Sequence, residues 1–207
     1  SCATSSADLQ LTMSGGAAND TAIAVTLAYT ASNGTASSLD DGTPGNAVGD
    51  LSATSLTDLA APILVSYTYD DDNTDGTVDA VTFIFSEAST LSYTVSDFTV
   101  TANGLTSFSL DAGSVTNNGT ANVSVPASAS SNVTGVSGGT EPTISWSPTG
   151  GSISDGSNSI SSISSTSATD NTAMILVSQV YKDTNSDGTV NRADLVFSEN
   201  ISLDECD

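Results

Sequence analysis

The chain has 207 residues, of which 24 are Asp or Glu, 2 are Lys or Arg and none is His, giving a formal charge of −22. Nucleic acid is held mainly through Lys and Arg contacts to phosphate, and an anionic membrane surface repels such a chain, so neither is expected as a partner. Without His, acid–base chemistry and metal ligation lose their commonest agent, and no catalytic residues are assigned.

Hydrophobic residues make up 37% of the chain, enough for a core, and at roughly 150 residues per domain the length fits one or two domains. Val, Ile, Thr, Phe and Tyr recur in short blocks, unlike a disordered acidic tail. The longest apolar blocks, such as 63–65 and 174–177, fall far short of the roughly 20 residues that cross a bilayer as a helix, so no membrane insertion is expected. The first residue is Ser1 and no charged-then-apolar leader follows, which suggests a processed or excised piece of a longer precursor.

Self-comparison organises the chain. A shift of 112 residues places 58–87 on 170–199 without a gap, with 16 of 30 pairs identical. A fainter echo relates Ala7 to Leu11 and Thr26 to Tyr29 to Ala121 to Val125 and Thr143 to Trp146, with the offset drifting from about 114 to 117. Residues 1–57 therefore read as the back part of one unit, 58–169 as a complete unit and 170–207 as the front part of a further one. In the complete unit, short β-prone segments at 62–69, 77–86, 90–101, 105–111, 121–125, 143–146 and 159–167 are separated by Gly, Asn, Asp or Pro. The alternation in 81–85 puts Val81, Phe83 and Phe85 on one face of a strand. In the Ser-rich run 152–167, Ile153, Ile160 and Ile163 suggest an edge strand or ordered loop, with a flexible linker as the alternative. About seven strands per 112 residues predict an all-β fold of Ig-like β-sandwich repeats.

Five of the ten residues 70–79 are Asp, and the chain has almost no cations to set against them. Asp71, Asn73, Asp75, Thr77 and Asp79 supply oxygens at alternate positions, with Gly76 permitting a sharp turn; hard oxygen donors in that order suit Ca²⁺. The second copy offers Asp183, Asn185, Asp187, Thr189 and Asn191, with Asp194 at the twelfth position as an optional further ligand. A solvated turn is the alternative, since Asp, Asn and Gly favour tight turns anyway.

The string Asp183-x-Asn185-x-Asp187-Gly188-Thr189-x-Asn191 with Asp194 resembles an EF-hand or dockerin calcium loop. In those families a helix follows, whereas the first copy continues into Val81 to Phe85, which is strand, so both loops are expected to be hairpin connections. A unit of about 110 residues with Ala61-Pro62-Ile63-Leu64-Val65-Ser66, this loop and Phe85-Ser86-Glu87 resembles the tandem Ig-like or cadherin-like repeats of bacterial and archaeal surface proteins. Those include adhesins, S-layer proteins and extracellular fibres. The resemblance implies an extracellular or cell-surface location.

The only cysteines are Cys2 and Cys206, each one residue in from an end. A disulfide between successive subunits, slices of a longer tandem array, and an intrachain bridge all remain open. Asn19, Asn33, Asn118, Asn122, Asn132 and Asn200 each begin a glycosylation sequon, a number that chance nearly explains in a chain so rich in Ser and Thr. The expected function is structural: a calcium-stabilised subunit of an extracellular filament or surface layer, joined head to tail to copies of itself by strand sharing. The alternative is an adhesive module that binds glycan or a partner protein. A non-catalytic domain of a secreted polysaccharide-degrading enzyme is a third reading, which predicts a helix after Asp194.

Overall fold

The structure is a computed structural model that describes residues 2–5, 8–12, 19, 21–31, 39–40, 47–75, 77–101, 108–128, 141–198 and 201–202. Among the described residues, fifteen strands follow in chain order: β1 (Cys2–Ser5), β2 (Asp8–Leu11), β3 (Thr26–Tyr29), β4 (Leu51–Ser55), β5 (Leu64–Asp70), β6 (Ala80–Ser92), β7 (Phe98–Thr101), β8 (Ser109–Leu110), β9 (Thr120–Ser128), β10 (Thr143–Trp146), β11 (Ser152–Ser154), β12 (Ile163–Ser167), β13 (Thr169–Asn171), β14 (Leu176–Lys182) and β15 (Arg192–Phe197). A single 3₁₀ turn, Val95–Asp97, is the only helical element among the described residues. The all-β expectation holds.

Two sheets enclose the main core. One has the order β13-β5-β6-β9-β8, with β11 also paired to β6, and the other the order β12-β10-β7. Alternation dictates the inner face of β6, where Val81, Phe83, Phe85 and Leu91 are buried. Phe83 stacks on Phe98 of the second sheet with ring centroids 5.6 Å apart, and Ile144 and Trp146 of β10 close the same cluster. The Tyr67 hydroxyl ties the sheets together: it accepts the Ile144 N–H at 2.8 Å and donates to the Thr166 carbonyl. Burial pushes its pKa up to about 12.

The expected strand at 90–101 is two elements. β6 belongs to the first sheet and β7 to the second, so the chain must cross between them, and it does so at the 3₁₀ turn. The Ser-rich run is ordered, with Ile153 buried on β11 and Ile160 and Ile163 packed against the core.

The sequence shift of 112 residues is also a shift of hydrogen-bond register. In β5–β6, Leu64 pairs with Phe85, a bulge follows, and Ser66 to Asp70 pair with Ile84 to Ala80. In β14–β15, Leu176 pairs with Phe197, the same bulge follows, and Ser178 to Lys182 pair with Val196 to Arg192. The serine of Phe-Ser-Glu clamps both hairpins: Ser86 Oγ accepts the Ile63 N–H at 3.0 Å and Ser198 Oγ the Ile175 N–H at 2.9 Å. Likewise β3–β4 reproduces β10–β12, with Thr26, Leu27 and Tyr29 facing Ser55, Thr54 and Leu51 as Thr143, Ile144 and Trp146 face Ser167, Thr166 and Ile163.

Candidate metal centre

The first acidic loop joins β5 to β6, and the Asp79 N–H closes it on the Asp70 carbonyl at 2.9 Å. Within it, side-chain oxygens accept the loop's own N–H groups. Asp71 Oδ1 and Asn73 Oδ1 take the Asp75 N–H at 3.2 and 2.9 Å, Asp75 Oδ1 takes that of Thr77 at 2.9 Å, and Asp79 Oδ2 that of Asp72 at 3.1 Å.

The second loop repeats this wiring. Asp183 Oδ1 accepts from the Asp187 N–H at 3.3 Å, Asp187 Oδ1 from that of Thr189 at 2.8 Å, and Asn191 Oδ1 from that of Thr184 at 3.0 Å. The Asn191 amide donates to Asn185 Oδ1 at 3.0 Å, and the Asn185 amide to Asp187 Oδ2 at 2.9 Å, so these side chains converge. Thr74 and Ser186, at the fourth position of each loop, take the same left-handed φ of 59° and 60°. That conformation is an outlier for a β-branched residue and persists where surrounding bonds over-determine it. Gly188 has φ 87°, the freedom for which the sequence needed a glycine, and Gly76 lies outside the described residues.

Such bonds favour the charged form of three of these carboxyls. The Thr77 hydroxyl and N–H hold the Asp75 carboxyl below the usual carboxylate range, the Gly188 N–H does the same for Asp183, and the Thr189 N–H with the Asn185 amide for Asp187.

Asp194 stands apart from the loop ligands. It lies on β15, a strand where the dockerin reading requires a helix, and its two oxygens meet the Lys182 ammonium and the Arg192 guanidinium, which hold its carboxyl below the usual range. In the first copy the positions of Lys182 and Asp194 are Asp70 and Thr82, and there the Thr82 hydroxyl donates to Asp70 Oδ2 at 2.7 Å. Donor and acceptor have exchanged strands while the cross-strand contact is kept.

Cys2 pairs through its backbone with Leu11 in β1–β2, and Cys206 lies outside the described residues. Among the sequons, Asn33, Asn132 and Asn200 also lie outside them. Asn19 is an exposed turn residue with φ 64°, and Asn122 is exposed on β9. The Asn118 amide is engaged, donating to the Leu91 carbonyl at 3.1 Å and accepting its N–H at 2.7 Å.

One carboxylate group escaped the sequence reading. A carboxylate oxygen of each of Asp58, Glu87 and Asp155 lies within 4.8 Å of the others, the only such group of three among the described residues. The signal was the alternation of β6: continued two residues past Phe85, it turns Glu87 inward.

The terminal hairpins expose residues whose counterparts are core. Tyr69 is 0% exposed and its counterpart Tyr181 76%; Phe83 is 2% exposed and Leu195 52%; Ile144 is 2% exposed and Leu27 43%. No protein-family model, curated protein or solved structure matches the chain.

Proposed function

We propose that the protein is a structural subunit of an extracellular filament or surface layer, with the front part of a unit in one copy and the back part in the next completing a shared Ig-like β-sandwich. The observation that carries this reading is the exposure of core-type residues on both partial units, in the strand register of the complete one. β14–β15 offers the counterparts of β5–β6, while β2 and β3–β4 offer those of β9 and β10–β12. Joining them covers Tyr181, Leu195, Leu27, Leu9 and Leu11, each worth about 1.5–3 kcal/mol when fully buried. It also pairs open strand edges that otherwise invite indiscriminate association. Such a contact is heterologous and propagates. Ca²⁺ in the two acidic loops stiffens the hairpins and offsets part of the −22 charge that opposes assembly.

Sedimentation of the wild-type chain in Ca²⁺ should show species that grow with concentration. A variant carrying Tyr181→Asp and Leu195→Asp, both on the exposed hairpin outside the main core, should remain a folded monomer. A wild-type chain that stays monomeric at every concentration would contradict the proposal.

A further inference from the structure

We propose that Asp58, Glu87 and Asp155 form a further binding site for a hard divalent cation of the Ca²⁺ class, which locks the segment entering the complete unit onto its body. This site is independent of the two hairpin loops and of the head-to-tail joint.

Three elements meet there. Asp58 lies in the connection from β4 to β5, Glu87 on β6, and Asp155 in the turn after β11. Glu87 occupies a core-facing position between Phe85 and Ser89, is 8% exposed, and its Oε1 is buried with no hydrogen-bond partner. A buried carboxylate oxygen without a partner is costly, and two further carboxylates within 4.8 Å raise that cost. The chain has no side-chain cation to spare: its only two, Lys182 and Arg192, both bind Asp194.

The other two acids are held in place from outside the cluster. Asp155 Oδ1 accepts the Ser157 and Asn158 N–H groups at 2.6 Å each, and its Oδ2 the Asn158 amide at 3.0 Å. That same amide reaches the Asp58 carbonyl at 3.4 Å, and Asp58 Oδ1 accepts the Ala60 N–H at 2.9 Å. Each carboxylate keeps lone pairs for a metal, and oxygens drawn from a strand, a turn and a connecting segment suit the irregular, water-completed shell of Ca²⁺ better than the strict octahedron of Mg²⁺. The repeat retains two of the three acids in sequence: the 112-residue shift maps Asp58 on Asp170 and Glu87 on Glu199. A cation here ties the segment between β4 and β5 to the core strand β6 and to the turn after β11.

The test is equilibrium dialysis and thermal melting of the full chain with Ca²⁺ alone, comparing wild type, Glu87→Gln, Asp155→Asn, and a loop variant with Asp75→Asn and Asp187→Asn. Each single variant should bind about one Ca²⁺ fewer per chain. Glu87→Gln relieves repulsion, so in chelator it should melt no lower than wild type while losing part of the Ca²⁺-dependent rise. The loop variant should keep this ion and lose others, which separates failure of this site from failure of the loop reading. If Glu87→Gln does not fold, the partly exposed Asp155→Asn decides. Wild-type Ca²⁺ stoichiometry and affinity in the single variants would overturn the proposal.

Discussion

Asp97 decides where the long strand β6 gives way to the second sheet. Its Oδ2 accepts the Thr94 N–H at 2.8 Å, and its Oδ1 the N–H and hydroxyl of Thr149, both at 2.7 Å. The backbone donors of Thr94 and Thr149 pull its carboxyl far below the usual carboxylate range. A depressed folded-state pKa contributes stability that is complete above the ordinary carboxylate pKa of about 4 and is lost as pH falls below it. Asp97→Asn should therefore melt several degrees below wild type at neutral pH, with the gap narrowing below about pH 4; a gap that stays constant through that range would contradict the assignment. Gly151 is part of the same arrangement, because a Cβ there would sit 2.4 Å from the Ser92 carbonyl and 2.6 Å from Asp97 Oδ2. The sequence signal, Thr94 three residues before Asp97 as in a capping box, was masked by the β-prone residues around it. Tyr67 was equally hidden, since its apolar ring fits the strand pattern but its hydroxyl function depends on residues 75 to 99 positions away. Tyr67→Phe leaves the buried Ile144 N–H without its acceptor and should cost about 1–3 kcal/mol in urea unfolding; an unchanged midpoint would argue against the tie between the sheets.

At the scale of elements, the hairpins were the most legible part of the chain. Identity over 58–87 and 170–199 carried through to register, bulge, serine clamp and left-handed loop residue, because in a hairpin all of these are set within some thirty residues. Glu87 was less legible: the inward alternation of Val81, Phe83 and Phe85 ran on beyond the expected end of the strand. Which acids approach one another across elements also depended on tertiary placement, which spacing along the chain does not encode. Calcium in the hairpin loops predicts that metal-free protein gains melting temperature in millimolar Ca²⁺, and that Asp183→Asn with Asp187→Asn reduces the gain. No shift for wild type would remove calcium from the account. A shift unchanged by the loop substitutions would move its binding elsewhere.

At the scale of the molecule, charge and exposed apolar surface oppose each other. A net charge of −22 keeps copies apart, and three bound divalent ions would take it to −16 (−22 + 6). The hairpins β3–β4 and β14–β15 expose core-type side chains, so the proposed assembly should depend on Ca²⁺ and weaken in chelator. The most direct measurement concerns strand register at the proposed joint. Between β6 and β9 Val81 faces Val125, and their counterparts in the sequence repeat are Ala193 in β15 and Leu11 in β2. In a chain carrying Cys2→Ser and Cys206→Ser, Ala193→Cys together with Leu11→Cys should, on mild oxidation, give a ladder of covalent multimers on a denaturing gel that collapses with reductant. A monomer band alone, with or without an internal bond, would contradict the shared-sheet joint.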